Sequence, residues 1–406
     1  MLDSKTIEIV KSTAPVLQEH SHAIGVRFYE LLFTKAPSLY NIFNQTNQKR
    51  GIQQDALAYS VYMAGQHIDN LDAVKGMVER VTEKHRALGV KAEQYPIVGE
   101  TLLEAVKDVL GDGVNDEIIE AWGKAYQEIA DIFISIENEL YEQVEQEVGG
   151  WTGLRSFVID QKVKESDVIT SFYLKAQDGK PIPTYQAGQY LTLQVDIEGD
   201  QYSHMRHYTI SDAPGKDYYR ISVKREDALT EDVPAGKVSN YLHQQLGEGD
   251  VLQVTAPAGE FTVSTEEMPL VLISGGVGIT PMMSMLKDAV QENPEREITF
   301  IHAAQNSNVH ALQQEVLELI NQYDNVTSYI VYSEPTEQDR KDELFDREGL
   351  IEKEWLQAIL KDNQKDFYFC GPVPFMKVVN SALKEWGVPA EHRQFEAFSP
   401  VSTIEA

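Results

Sequence analysis

The sequence predicts three consecutive domains: an all-α domain, an antiparallel β-barrel, and a doubly wound α/β domain with a parallel sheet. Up to about residue 147, apolar residues recur at every third or fourth position. From Trp151 apolar and polar residues alternate, and after Pro269 strand-like and helix-like segments follow one another. We therefore place the domains at 1–147, 151–262 and 268–406.

The first domain is predicted to be helical throughout. Val74, Val78 and Val81, for example, share one face of a helix. Short polar loops are expected to separate the helices, as at 44–48 and 111–115. The helical pattern ends before Gly149-Gly150, a pair typical of a domain boundary.

Alternation of apolar and polar residues predicts the strands of the second domain. Leu191, Leu193 and Val195 alternate with Thr192 and Gln194, as in a strand with one buried face. The same pattern occurs at 168–175, 206–211, 219–225 and 251–256. Short strands at this density are typical of a small antiparallel barrel.

The third domain alternates strands with helices, which favours a parallel sheet. After a first strand at 270–274 we expect strands at 298–304, 327–332, 367–370 and 394–398, and helices at 309–322, 351–362 and 375–386. The acidic segment Glu334–Glu348 is expected to be a solvated loop.

The run Met268–Leu286 contains no charged residue, but its glycines and prolines argue against a membrane helix. We interpret it as a buried strand, a glycine turn and a helix with Pro281 in its first turn. Such a turn presents free N–H groups to a phosphate. The spacing G-x-G-x-x-P is not the standard dinucleotide-binding fingerprint, and an ordinary tight turn is the alternative.

Composition limits the class of partner. The 406 residues include 64 acidic and 35 basic ones, and the net charge of −29 argues against nucleic acid or an anionic membrane as a partner. The single cysteine, Cys370, excludes an internal disulfide. The first residues lack the pattern of a signal peptide, so we expect a soluble cytoplasmic protein.

Five motifs carry the chemistry of the second and third domains. Arg206-His207-Tyr208-Thr209 combines an Arg for a pyrophosphate, an aromatic ring for stacking and a hydroxyl group. It is followed by G-x-x-S at 236–239, G-G-x-G-x-T-P at 275–281, C-G-P at 370–372 and E-x-F at 396–398. Each motif alone also occurs in ordinary strands and turns, but the five in this order resemble the ferredoxin-reductase type of FAD/NAD(P)H module.

The resemblance implies two cofactor sites. Residues expected at the FAD site are Tyr190, Arg206, His207, Tyr208, Thr209, Val238 and Ser239. Those expected at the nicotinamide nucleotide are Gly275, Gly276, Val277, Gly278, Ile279, Thr280, Pro281 and Cys370, with Glu396, Ala397, Phe398 and Ser399 near the flavin. Ser399 stands where such modules often have Gly, and Cys370 could equally be a buried core residue. Gln305-Asn306-Ser307 offers no Arg for a 2′-phosphate, which favours NADH.

In the first domain, His85 lies in line with Val78 and Val81 on an apolar helix face. Such a histidine is more often a satisfied boundary residue than a ligand, although haem iron is held in this way too. Together, Tyr29, Phe43, Gln53, Leu57 and His85 resemble the haem pocket of a bacterial globin, and the whole chain resembles a flavohaemoglobin.

That resemblance implies a function. His85 would be the proximal ligand of haem b, Tyr95 and Glu137 its hydrogen-bonded support, and Tyr29, Gln53 and Leu57 the distal side. The expected activity is that of a monomeric nitric oxide dioxygenase, which makes nitrate from NO and O₂ with electrons from NAD(P)H through FAD. Two alternatives remain open: a globin that senses or stores a gas, and a flavin reductase for other acceptors.

Overall fold

The computed structural model describes residues 2–43, 52–228, 234–265 and 267–398, apart from the side chains at 52, 53, 55, 56, 58, 59 and 72. The chain divides into two compact units, Met1–Leu154 with Gln194–Arg206, and Arg155–Leu193 with His207–Ala406. Along the chain, helices come first, then an antiparallel six-stranded sheet, then a parallel six-stranded sheet. The predicted fold class is confirmed, whereas the domain boundaries stay a prediction.

The described part of the helical domain contains six α-helices around one apolar core. They are α1 (Ser4–Glu19), α2 (Ser21–Lys35), α3 (Ile52–Gln66), α4 (Lys75–Leu88), α5 (Tyr95–Leu110) and α6 (Asp116–Gln146). Phe28, Leu32, Ala105 and Trp122 lie in that core. The predicted loop 111–115 contains a short 3-10 helix at Gly111–Gly113 and ends at Asn115, whose side chain accepts a hydrogen bond from the Ile118 N–H group and so begins α6. The other predicted loop, 44–48, lies outside the described residues.

The second domain is a barrel of six strands in the order β4-β3-β6-β1-β2-β5. The strands are β1 (Arg155–Lys164), β2 (Ile169–Ala176), β3 (Tyr190–Val195), β4 (His204–Thr209), β5 (Tyr219–Lys224) and β6 (Val251–Val254). A bridge between Ile210 and Ile221 joins the two outer strands, so the sheet closes on itself. Helix α7 (Lys237–Gln245) follows β5 in the chain.

One detail of the barrel differs from the prediction. Thr192 is fully buried, although the alternation places it on the polar face of β3. The reason is a hydrogen bond between Thr192 Oγ1 and His207 Nδ1, 2.7 Å long, which satisfies the hydroxyl group inside the protein. Both faces of β3 are therefore covered.

The third domain has a parallel sheet in the order β10-β9-β8-β7-β11-β12. Its strands are β7 (Leu270–Gly275), β8 (Ile298–Ala304), β9 (Val326–Tyr332), β10 (Arg347–Glu348), β11 (Asp366–Cys370) and β12 (Arg393–Glu396). Its helices are α8 (Ile279–Glu292), α9 (Gln313–Gln322), α10 (Glu337–Lys341), α11 (Lys353–Leu360) and α12 (Val373–Glu385). Within the described residues, no helix has both the length and the apolar composition to cross a membrane, and the run Met268–Leu286 divides into β7 and α8.

Two predictions for this domain are wrong. The acidic segment 334–348 is not a solvated loop, because it contains α10, the edge strand β10 and the buried carboxylate of Asp339. The helix predicted from residue 309 begins only at Gln313, because Leu312 adopts a left-handed conformation with φ of 59°. A left-handed residue interrupts the helical hydrogen bonds, so the preceding residues form a separate short turn.

Candidate functional site

Three side chains from three helices meet in the helical domain. His85, in the last turn of α4, has its Nδ1 atom 2.7 Å from Glu137 Oε1 and 3.1 Å from the Tyr95 hydroxyl group. Tyr95, at the start of α5, donates a hydrogen bond of 2.6 Å to the same carboxylate oxygen. The structure thus brings together three residues that the sequence analysis assigns to one site.

The hydrogen bonds determine which nitrogen of His85 is available. A carboxylate only accepts hydrogen bonds, so the geometry favours the tautomer with the proton on Nδ1 and a lone pair on Nε2. Among the described residues, none hydrogen-bonds to Nε2, and the His85 side chain is 31% exposed. An accessible imidazole nitrogen supported by a buried carboxylate is what an iron porphyrin requires of its protein ligand, so these residues fit a haem.

Tyr95 is held in its neutral form. Burial, and then the hydrogen bond to Glu137, raise the pKa of the Tyr95 phenol above its ordinary value. The phenol therefore remains a hydrogen-bond donor to Glu137, whose side chain is almost completely buried. Two donors on one carboxylate oxygen fix the orientation of both the carboxylate and the imidazole.

The residues assigned to the distal side lie on α2 and α3. Tyr29 is 5% exposed, and its ring packs against Phe28, Phe33 and Phe43 at centroid distances of 4.8–5.7 Å. Leu57 lines an apolar cavity that also involves Ile24, Gly25, Val61, Leu102 and Trp122. Gln53 belongs to α3, but its side chain lies outside the described residues.

The predicted flavin strand is β4. Thr209 is buried, His207 is exposed, and Arg206 and Tyr208 are half-buried. The His207 ring lies 4.6 Å from the ring of Tyr190 on neighbouring β3. The structure therefore places four of the expected FAD residues beside Tyr190, on two adjacent strands.

A glycine positions Tyr190. Gly188 has φ of 107°, and a methyl group added there would lie 2.0 Å from the carbonyl oxygen of Phe261, so only glycine fits. Tyr190 then exchanges two backbone hydrogen bonds with Ala258, of 2.8 and 2.9 Å. The turn before β3 is thus fixed against the segment after β6.

Val238 and Ser239 lie in the first turn of α7, and both are buried. Gly236 precedes the helix, and the Ser239 hydroxyl group donates a hydrogen bond of 3.1 Å to the Gly236 carbonyl. The first N–H groups of a helix have no partner within it and can receive a phosphate. The start of α7 therefore offers N–H donors of the kind that a phosphate group requires.

The glycine turn after β7 lies where the strand order of the parallel sheet reverses. Strand β7 has β8 on one side and β11 on the other, and ligands of open α/β sheets bind in the crevice at such a point. Gly276 and Val277 form this turn between Gly275 and Gly278. A methyl group on Gly278 would lie 2.1 Å from the carbonyl oxygen of Cys370, so the two loops of the crevice are in close contact.

Helix α8 begins at Ile279, so Pro281 lies in its first turn as predicted. The Thr280 hydroxyl group donates a hydrogen bond of 3.0 Å to the Val277 carbonyl and stabilises the turn. The Cys370 side chain is completely buried, and burial raises the pKa of its thiol well above the ordinary value. The Cys370 side chain is therefore part of the apolar core, and only its backbone carbonyl contacts the glycine turn.

At the sheet edge, Glu396 ends β12 and is paired with Cys370 of β11. Ala397 is half-buried and Phe398 is 52% exposed. Ser399 lies outside the described residues.

Asp339, which was not predicted from the sequence as a site residue, lies next to the segment after β8. Its carboxylate accepts hydrogen bonds from the hydroxyl group of Ser307 at 2.5 Å and from the N–H group of Thr336 at 2.8 Å. Asp339 thereby holds the turn that follows β8, where a dinucleotide ribose is expected. Thr336 and Asp339 form a local capping box that begins α10, but no local pattern indicates the contact with Ser307, which lies 32 residues away.

Comparison with known proteins matches three segments of the chain to three families. Residues 26–133 match the globin family, 156–263 the oxidoreductase FAD-binding domain and 272–381 the oxidoreductase NAD-binding domain. The Flavohemoprotein of Bacillus thuringiensis subsp. konkukian is 54% identical over 406 residues, which are 100% of both chains. That of Bacillus subtilis is 49% identical over 98% of each chain.

Two solved structures extend the comparison. The flavohemoglobin from Malassezia yamatoensis with bound FAD and heme has a similar fold, with a TM-score of 0.85 and 24% identity over 98% of this chain and 100% of that chain. The FAD/NAD-binding domain of nitric oxide dioxygenase from Vibrio cholerae O1 biovar El Tor is 34% identical, with a TM-score of 0.54. The alignment covers 60% of this chain and 98% of that chain.

These matches confirm the predicted fold class and the predicted cofactors. The chain carries a globin domain, an FAD-binding domain and a NAD-binding domain, and it is an oxidoreductase that uses haem, FAD and NAD(P)H. The alignment with the Bacillus thuringiensis relative, at 54% identity, extends over all 406 residues of the chain. The chain belongs to the flavohemoprotein family.

Proposed function

We propose that this protein is a nitric oxide dioxygenase that converts NO and O₂ to nitrate with electrons from NAD(P)H, and so removes NO. The observation that carries the proposal is the set His85–Glu137–Tyr95, which presents a free imidazole nitrogen in a chain that also has an FAD-binding and a NAD-binding domain. The name of the relative from Vibrio cholerae supports it. When bound, FAD would take hydride from NAD(P)H and deliver electrons singly to the haem, where O₂ and NO would combine.

On the iron-binding side, His85 would hold the metal through Nε2. Glu137 accepts the Nδ1 proton in a hydrogen bond of 2.7 Å, which makes the imidazole a stronger electron donor. Tyr95 keeps Glu137 in place and remains protonated. These residues would favour delivery of electron density to the bound gas.

On the opposite side of the haem, Tyr29 would donate a hydrogen bond to the O₂ substrate, with Gln53 as its neighbour. A donor there would stabilise negative charge that develops on the substrate. Leu57 would limit access to the iron. NO and O₂ are small and neutral, which agrees with the apolar cavity that Leu57 lines.

In the remaining domains, the residues that the resemblance implies would hold the two nucleotides. FAD would bind at β4, at the turn before β3 and at the start of α7 through Tyr190, Arg206, His207, Tyr208, Thr209, Val238 and Ser239. The nicotinamide nucleotide would bind at the crevice formed by the glycine turn, the start of α8 and the end of β11, with Glu396 and Phe398 close to the flavin. Each chain holds a complete set of these residues, so we propose that a monomer is active.

The test uses full-length protein loaded with haem and FAD, with NADH in aerobic solution. An electrode follows NO, and nitrate is counted. The proposal requires rapid loss of NO with one nitrate for each NO, and His85→Ala should abolish this activity while NADH oxidation by ferricyanide persists. If NADH is consumed while NO persists, the dioxygenase proposal is wrong.

A further inference from the structure

A group of charges lies where the FAD-binding barrel meets the nucleotide-binding domain; Asp212 and Arg220 are buried, and the side chains of Lys287 and Glu315 are 19% and 26% exposed. Lys287 of α8 places its Nζ atom 2.8 Å from Asp212 Oδ1 and also contacts Glu315 of α9. Arg220 of β5 places Nη1 2.5 Å from the other oxygen of Glu315. We call Asp212, Arg220, Lys287 and Glu315 the joint cluster. Two of its residues come from each domain, and its charges balance.

The members of the joint cluster are firmly held. Arg220 is 1% exposed and Asp212 5% exposed. Asp212 also receives a hydrogen bond of 2.8 Å from the Tyr218 hydroxyl group. Burial alone would raise the pKa of Asp212, but the charges of Arg220 and Lys287 hold it below the ordinary value. Asp212 is therefore ionised, and its attraction to Lys287 is little screened by water. The nearby Glu165 faces the same charges, and burial raises its pKa.

The joint cluster links the two predicted cofactor sites through short, rigid segments. Asp212 follows Thr209 of the flavin strand by three residues, and Lys287 lies two turns after the start of α8, the helix that begins at the glycine turn. Ser284, one turn before Lys287, donates a hydrogen bond of 2.7 Å to the Asp212 carbonyl. Two side chains of α8 thus hold the same residue of the flavin-binding segment.

Apolar packing also crosses this joint, but it cannot set the alignment by itself. Ile169 and Phe261 of the barrel share one cluster with Met282, Met283 and Met285 of α8. Methionine side chains are flexible and adapt to several packings, so this contact supplies stability with little directional preference. A paired charge has one favourable geometry, and buried pairs serve specificity better than stability.

We propose that Lys287 is a positioning residue for hydride transfer: through Asp212 and Glu315 it sets the alignment of the nucleotide helix α8 with the flavin strand β4. Lys287 touches neither cofactor in this assignment. The proposal rests on the FAD- and NAD-binding domains and not on the reaction at the haem. It can therefore be tested with no NO present.

The test compares full-length, FAD-loaded Lys287→Met with the parent protein. Methionine keeps an unbranched side chain, one atom shorter than that of lysine, and removes its charge. In anaerobic stopped-flow experiments at saturating NADH, the rate of flavin reduction should fall about tenfold or more, since a full misplacement of about 1 Å costs about 100-fold in rate. The NADH concentration for half-saturation should change by a smaller factor than the rate of flavin reduction. Long-wavelength charge-transfer absorbance between reduced flavin and NAD⁺ should weaken.

Lys287→Arg, which retains the charge, should restore both the reduction rate and the charge-transfer band. Lys353→Met is the matched control, because Lys353 forms only exposed ion pairs with Glu354 and Glu385, and it should behave like the parent protein. Hydrogen exchange of the protein without NADH gives an independent measurement, in which amides of α8 should exchange faster in Lys287→Met and those of β7 should not.

An unchanged reduction rate in folded, flavin-loaded Lys287→Met would overturn the proposal, as would a fall that Lys287→Arg does not restore. Should Lys287→Met fail to fold, Glu315→Gln removes the partner charge from the α9 side and has the same expected outcomes. Failure of the dioxygenase proposal would leave these results unaffected, because they involve only NADH and flavin.

Discussion

The Tyr95 hydroxyl group and Glu137 Oε1 lie 2.6 Å apart, although 42 residues separate them in the chain. Their contact joins the start of α5 to the middle of the long helix α6. Because His85 of α4 hydrogen-bonds to the same carboxylate oxygen, a change at Glu137 should alter the environment of the imidazole without altering the helix that carries it.

Glu137→Gln should weaken haem binding about 10- to 100-fold, the range typical for loss of a residue that supports a metal-bound histidine. Glutamine retains an acceptor oxygen but not the negative charge that strengthens the imidazole. Haem transfer from the holoprotein to apomyoglobin measures the effect. Glu139→Gln, an exposed position on the same helix, should bind haem normally. Equal haem retention in both variants would contradict the role of Glu137.

Tyr29→Phe should accelerate O₂ dissociation about tenfold, the equivalent of one hydrogen bond of ordinary strength, and should lower NO turnover. The phenylalanine ring keeps the contacts with Phe28, Phe33 and Phe43, so packing is preserved. Flash photolysis and stopped-flow replacement of O₂ measure the rates. Tyr40→Phe, whose ring stacks on Phe33, is the control. If the two variants release O₂ at the same rate, Tyr29 is not the donor.

Gly278→Ala should destabilise the nucleotide-binding domain by about 1–3 kcal/mol, the usual cost of an overpacked contact. The added methyl group would lie 2.1 Å from the Cys370 carbonyl oxygen, so the two sides of the crevice must separate. We also expect weaker binding of NAD⁺, measured by calorimetry. Gly247→Ala is the control, since its methyl group would have no neighbour closer than 3.9 Å. Normal NAD⁺ affinity in Gly278→Ala would show that the crevice adapts.

Acidification should destabilise the domain that contains His310. Burial lowers the pKa of this imidazole from 6.5 to about 4, and its Nδ1 atom lies 2.9 Å from the buried Tyr332 hydroxyl group. Between these two values the unfolded chain binds more protons than the folded one, so stability falls as the pH drops from 6.5 towards 4. His310 should account for about 3 kcal/mol of this loss in the free energy of unfolding.

Chemical denaturation of the parent protein and of His310→Gln across this pH range tests the expectation. Glutamine can keep a hydrogen bond to Tyr332 and does not titrate, so the variant should lose less stability on acidification. Burial lowers the pKa of neighbouring His302 as well. The part of the acid-dependent loss of stability that comes from His302 should therefore remain in the variant. Parallel stability curves for the two proteins would rule out the contribution of His310.

Local patterns predict much of this structure. Glycines and Pro281 indicate the strand–turn–helix at the nucleotide crevice, and the observed strand β7 is only one residue longer than predicted. In the barrel, the predicted strands 168–175 and 219–225 agree with β2 and β5 to within one residue, whereas 206–211 and 251–256 differ from β4 and β6 by two and β1 was not predicted. For the haem side, the resemblance to flavohaemoglobins supplied the pairing of His85 with Tyr95 and Glu137, which no local spacing encodes.

Contacts between distant segments could not be predicted in this way. Lys287 and Asp212 are 75 residues apart and belong to different domains. Thr192 resembles an exposed strand residue until His207 is placed opposite it. The acidic segment 334–348 has the composition of a loop, but one of its carboxylates, Asp339, is buried because Ser307 and Thr336 satisfy it.

The apolar cluster shared by the barrel and α8 also bears on how chains of this kind arise. Ile169, Ala187 and Phe261 pack in the same cluster as the methionines of α8, so neither domain completes its core alone. A genetic exchange that separated the two would expose this surface and favour aggregation. The barrel and the α/β domain are therefore expected to be inherited and recombined as one building block, to which different electron acceptors can be joined.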